Sequence, residues 1–112
     1  MPSSFIERPR YLCSLGGAMG TVTALPGAIP ILHAAAGCAG NITWTQNGGS
    51  GLQVGGYCGG LSVPSSNVRE REVVFGGDER LREEIANTLK IIDGDLYIVL
   101  TGCVTEIIGD DV

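Results

Sequence analysis

Residues 78–103, DERLREEIANTLKIIDGDLYIVLTGC, constrain the fold more than any other stretch of the chain. Leu81, Ile85, Leu89 and Ile92 recur at i, i+4, i+8 and i+11, which predicts one apolar face of an amphipathic helix. Asp78 and Glu79 stand at its start and Lys90 near its end, each where the helix dipole favours that charge. Asp93-Gly94 supplies a tight turn, and DLYIVL follows as a continuous β-rich apolar run of the kind buried on both faces in a parallel sheet. Helix, turn, buried strand and the start of a new helix together predict an α/β fold, a mostly parallel sheet with flanking helices. The strand ends at Cys103, at the carboxyl edge where ligands gather in such sheets.

The remainder of the chain is less regular. Residues 1–12 read as an irregular arm, with Arg8-Pro9 keeping the backbone extended. After Cys13, Gly16 and Gly17 predict a turn and residues 18–25 a short helix that Pro26 ends. AIPILHA (28–34) predicts a strand running into a loop and a helix start at 37–43, with Cys38 in the turn. Residues 47–60, NGGSGLQVGGYCGG, hold seven glycines in 14 positions with neither period, which predicts a glycine-rich loop carrying Cys58. REREVVF (69–75) alternates charge before an apolar end and leads into a glycine pair. At 112 residues the whole chain, 1–112, is expected to form one domain.

Composition narrows the function classes. A chain 44% hydrophobic and 17% charged with net charge −5 is a globular segment, not a disordered acidic tail. Its seven Lys and Arg are scattered, so no basic stripe is available for nucleic acid. The start MPSSFIERPRYLC lacks the apolar core of a secretory signal, and AIPILHAAAGCAG is too short to span a bilayer. The expected compartment is the cytoplasm, with no membrane partner, and in that reducing setting four cysteines read as ligands, reactive thiols or core residues rather than disulfides. With 18 glycines, about 16% against a usual ~7%, and only 5% aromatics, the chain is expected to be marginally stable without a partner or cofactor.

Cys13, Cys38 and Cys103 share a setting, since each stands at or beside a turn with a glycine close by. Small neighbours let backbone amides approach an inorganic sulfide cluster and donate hydrogen bonds to it. Cysteine is also among the most buried residue types, so the residues alone leave ligation and plain burial both open. The successive spacings of 25, 20 and 45 contain no C-x-x-C pair, which disfavours a structural zinc site. His33, the single histidine, reads as a hydrogen-bonded core residue, and nothing flags the third group that a Cys-His nucleophile would need. GGAMG and FGGDE read as turns rather than phosphate loops. Asp110-Asp111 after Gly109 reads as a solvated or helix-interrupting pair rather than a magnesium site.

The motifs C…P…HAAAGCAGN…W, VVFGGDERL and GCVTEIIGDDV, in this order from about residue 9 onward, resemble the N-terminal part of the nitrogenase component 1 family. That family includes the dinitrogenase α and β subunits, the scaffold subunits that mature the molybdenum–iron cofactor, and the protochlorophyllide reductase-like proteins. The resemblance implies a partial Rossmann-like domain in which Cys13, Cys38 and Cys103 bind an iron–sulfur cluster, of 4Fe–4S or P-cluster-like type, at an interface. A homologous component 1 subunit would supply the remaining ligands in a heterotetramer-type assembly, and an ATP-dependent iron protein would supply electrons. Cys58 matches no family ligand. GCAGNITWTQ is most similar to the scaffold-type subunits, and Thr45-Gln46-Asn47 stand where the catalytic α subunit carries an arginine.

The function expected from this resemblance is an electron-transfer segment of a nitrogenase-like oxidoreductase subunit. The alternatives are a scaffold subunit that holds a maturing metallocluster without turnover and a cluster-free α/β interaction module. Family members carry further α/β domains, so the chain is expected to be a truncated N-terminal domain, inactive in reduction by itself. The apolar face of Ile107, Ile108 and Val112 is then expected to lack its cover and to favour self-association.

Overall fold

A computed structural model describes residues 13–40 and 63–112. The N-terminal arm, the glycine-rich loop at 47–60 and Cys58 lie outside the described residues. The elements are α1 (Ser14–Thr23), β1 (Ala28–His33), α2 (Glu70–Phe75), α3 (Asp78–Ile91), β2 (Leu96–Thr101) and α4 (Cys103–Ile108). Residues 36–40, directly after β1, are also helical, at the start of the helix expected over 37–43.

β1 and β2 pair in parallel, in register from Ala28 opposite Leu96 to His33 opposite Thr101. The fold is thus α/β with a parallel sheet and flanking helices, as the helix–turn–strand pattern predicts. The segment 63–68 runs along the other edge of β1: Leu32 N–H donates to Pro64 O at 2.9 Å, Ser66 N–H to Leu32 O at 2.9 Å and Val68 N–H to Ala34 O at 3.1 Å. β1 is therefore the middle lane, and its last four residues, Pro30 to His33, are buried. A proline is tolerated there because Pro30 lies two residues before Leu32, so its missing N–H faces the 63–68 side and not β2. β2 is only half-buried along most of its length, not covered on both faces as its apolar run predicts. Among the described residues it has a neighbouring lane on one side alone.

α1 packs across both strands, and α3 packs against β1. Leu15 and Met19 of α1 meet Leu32 and Ala34, with Leu100 and Cys38 beside them, to form the core cluster. Ile31 and His33 are one position out of phase with Leu32, so they turn to the opposite face of the strand. Gly16 and Gly17 lie inside α1 and not in the expected turn. Glycine in a helix costs about 1 kcal/mol relative to alanine, and the burial of Leu15, Met19 and Val22 along one stripe outweighs it. The helix ends at Thr23, ahead of Pro26, which could not continue it.

α3 follows the expected span, but its buried line differs. Leu81 and Thr88 are buried, Ile85 and Ile92 are half-buried, and Leu89 is 55% exposed. At about 100° per residue, Thr88 lies about 20° from Leu81 around the helix and Leu89 about 80° away. The hydroxyl residue thus takes the inward position. The turn into β2 is held by Tyr97, whose hydroxyl donates to Ile92 O at 2.7 Å and accepts from Gly94 N–H at 3.1 Å. Residues 70–75, where the charge alternation gives no helical period, form α2; its first turn is closed by Arg69 N–H donating to Glu72 Oε2 at 2.9 Å. That hydrogen bond is the main reason the Glu72 carboxyl titrates below the usual carboxylate range. Among the described residues no helix is long and apolar enough to cross a membrane.

Candidate functional site

Cys13, Cys38 and Cys103 stand two, four and one residues along the chain from Leu15, Ala34 and Gly102, which meet at one corner of the fold past the strand carboxyl ends. Cys13 is the exposed N-cap of α1, and its carbonyl accepts Gly17 N–H at 3.0 Å. Cys38 lies in the 36–40 helical segment, half-buried and packed on the core cluster. Cys103 is the exposed first residue of α4, one position after Gly102. Since α1 runs into β1, its start is carried back to the strand ends, where Leu15 and Ala34 close on Gly102. A Cβ on Gly102 would stand 2.7 Å from Ala34 Cβ and 3.7 Å from Leu15 Cδ2. Only glycine fits at that contact, which brings the segments bearing Cys13, Cys38 and Cys103 together. All three are free thiols. Among the described residues no three His, Cys, Asp or Glu side chains are arranged to hold a single metal ion.

The same corner is fastened by a buried polar network. His33 is fully buried at the end of β1, its Nδ1 2.9 Å from Ser66 Oγ and its Nε2 2.8 Å from Asp110 Oδ2. A carboxylate only accepts, so Nε2 carries a proton and donates to Asp110. Asp110 Oδ1 accepts Gly77 N–H at 2.9 Å, and Asp78 Oδ1 accepts Asp111 N–H at 3.1 Å. A Cβ on Gly77 would stand 2.5 Å from Asp110 Oδ2 and 2.9 Å from the His33 ring, so glycine is required there too. Thr105 completes the set, its hydroxyl accepting Gly102 N–H at 3.1 Å and donating to His33 O at 2.8 Å.

His33 is thus the hydrogen-bonded core residue that its apolar setting predicts. Asp110 is not solvated; its side chain is 3% exposed and bonded on both oxygens. Ser66, Thr105 and Asp110 carry no site motif of their own, and the sequence signal for them is the co-occurrence of FGGD and IGDD, the two segments that this network joins.

A second feature lies between the 63–68 lane and α3. A cavity of about 420 Å³ is lined by Ser65, Asn67, Glu84, Asn87 and Thr88 among others. Both carboxyl oxygens of Glu84 are buried without a hydrogen-bond partner. Burial pushes that carboxyl up to about 7. The nearby Arg80 is engaged elsewhere, donating to Ser66 O at 3.1 Å and Asn67 O at 3.3 Å.

The profile of the nitrogenase component 1 type oxidoreductases matches residues 13–112, the whole span from the first thiol to the last residue. The chain belongs to that family. It is 31% identical over 99 residues to the nitrogenase iron-molybdenum cofactor biosynthesis protein NifE of Methanococcus maripaludis, covering 88% of this chain and 20% of that protein. NifE of Nostoc sp. is 33% identical over 102 residues, with 89% and 20% covered. The nitrogenase molybdenum-iron protein beta chain of Methanothermobacter marburgensis is 26% identical over 107 residues, with 96% and 22% covered. The chain spans about one fifth of the length of these nitrogenase relatives.

Proposed function

We propose that this segment contributes Cys13, Cys38 and Cys103 to an iron–sulfur cluster at the interface with a homologous component 1 subunit, in a cytoplasmic nitrogenase-like protein of the cofactor-biosynthesis kind. The observation that supports the reading is that three free thiols, two exposed and one half-buried, are carried on segments that meet where Leu15 and Ala34 close on Gly102. The donor set fits such a group, because thiolates are the ligands iron–sulfur clusters take and three local thiols leave ligation to be completed by a partner. Exposure of Cys13 and Cys103 leaves both free to face that partner. When bound, such a cluster supplies one-electron chemistry whose potential follows from hydrogen bonding and burial around its sulfurs.

The chain's own part is to hold the thiols rigidly. Cys13 and Cys103 stand at helix starts, and Cys38 is packed on the core. Likeness to the NifE proteins supports a scaffold that keeps a metallocluster without turnover. The match to the molybdenum-iron protein alpha chain of Methanosarcina barkeri, 27% identical over 107 residues, favours a second reading as an electron-transfer segment served by an ATP-dependent iron protein.

Iron and sulfide assays with absorption and electron paramagnetic resonance spectra, on protein isolated anaerobically with its partner, test the reading. Cys13→Ala, Cys38→Ala and Cys103→Ala are each expected to abolish the signal, and Cys58→Ala to leave it near normal. Colourless, iron-free protein from strictly anaerobic preparations would rule the cluster out. Transfer of metallocluster to an acceptor protein without substrate reduction separates the scaffold from the electron relay.

A further inference from the structure

We propose that His33 is the positioning residue for Cys103, acting through both ends of α4; the proposal rests on the cluster reading above. α4 has six residues, about 9 Å of helix, far too short to hold its shape without tertiary ties. Its one buried residue is Thr105. What locates it is a set of hydrogen bonds that converge on a single residue 70 positions earlier than Cys103.

At the start of α4, the His33 carbonyl accepts Gly102 N–H at 3.0 Å and the Thr105 hydroxyl at 2.8 Å. At its end, beyond Gly109, the His33 ring holds Asp110 at 2.8 Å. The ring is itself pinned by Ser66 at 2.9 Å, and the Asp110 carboxylate by Gly77 N–H at 2.9 Å. Main chain and side chain of one fully buried residue therefore fix both termini of the helix whose first residue is Cys103. Since Cys103 is exposed and His33 is not, the imidazole reaches the thiol's surroundings through α4 and not as a ligand. A thiolate held this way keeps its direction and its neighbouring amides, and those set how tightly a cluster is retained and at what potential it works.

The test compares variants of the protein isolated anaerobically with its partner. Asp110→Ala frees the far end of α4, and Thr105→Val removes one hydroxyl at nearly constant volume. Both are expected to release iron to a chelator on the order of 10-fold faster than wild type and to shift the cluster's midpoint potential. Asp110→Asn keeps an acceptor for Gly77 and, with the ring proton moved to Nδ1 to face Ser66 Oγ, donates its amide N–H to Nε2, so it is expected to return both readouts toward wild type. Val22→Ala, which weakens the core near the far end of α1 and outside these ties, is expected to lower thermal stability with the potential unchanged. If Asp110→Ala fails to fold, Thr105→Val carries the comparison. Where the wild type is loaded, an iron-loss rate and potential left unaltered by Thr105→Val overturn the positioning role, as does an equal shift in Val22→Ala. An iron-free wild type removes the cluster reading itself, and this role with it.

Discussion

At Glu84 neither carboxyl oxygen reaches a hydrogen-bond partner, and burial raises its titration from 4.5 to about 7; at Asp110 both oxygens are used. The folded state therefore holds a proton on Glu84 that the unfolded state releases between those two values. Stability from this group is full below about 4.5 and is lost as pH rises through about 7. Glu84→Gln is expected to flatten that slope and to stabilise the protein at pH 8 by on the order of 1 kcal/mol, since the residue as a whole is only half-buried and nearby solvent screens its charge. Urea midpoints of both proteins at pH 5 and pH 8 measure it. Asp110→Ala acts in the opposite direction, leaving the His33 Nε2–H and the Gly77 N–H without their acceptor. Each stranded donor costs about 1–3 kcal/mol, read from the same unfolding curves. A histidine among apolar residues is legible as a core residue from composition around it. A buried aspartate is not, because its histidine lies 77 residues away and two aspartates after a glycine look alike whether bonded or solvated.

At the scale of elements, α3 and β2 were legible because each carries a period over many residues: one helical face, then an unbroken apolar run. The inward line of α3 was not, since Thr88 takes it and Leu89 faces outward. Leu81→Ala is thus expected to cost about 2–5 kcal/mol and Leu89→Ala to stay within about 0.5 kcal/mol of wild type, by denaturant unfolding. The helix expected over 18–25 is present as α1 but begins at Ser14, and its first turn defies the glycine signal because the buried stripe of Leu15, Met19 and Val22, and not propensity, stabilises it. α2 escaped the sequence reading because a six-residue helix is too short to show a period, and what closes its start is the Glu72 side chain. The glycines of FGGD and GC were legible as turns, and their reason is steric: Gly77→Ala is expected to force Asp110 and His33 apart and to destabilise the fold more than Gly17→Ala, whose Cβ would meet nothing within 4 Å.

For the molecule as a whole, α2 and α4 pack together, yet Val74 is 73%, Phe75 83% and Ile107 84% exposed. Apolar side chains exposed together favour association. The chain studied alone is expected to self-associate reversibly, and a Phe75→Lys, Ile107→Lys double variant to shift it toward monomer in sedimentation velocity; concentration-independent monomer for the unaltered chain would refute this. The parallel layering could be read from residues 78–103, but the third lane at 63–68 could not, because its hydrogen bonds are made by backbone and its residues carry no strand pattern. The network that joins His33 to Asp110 also imposes an order in time. Synthesis runs from the N-terminus, so Cys13 and Cys38 leave the ribosome long before Asp110 exists to grip the ring. The corner that seats Cys103 closes only when nearly all of these 112 residues have been made. A nascent chain stalled before residue 110 would lack the carboxylate that grips the His33 ring, and with it the tie at the far end of α4.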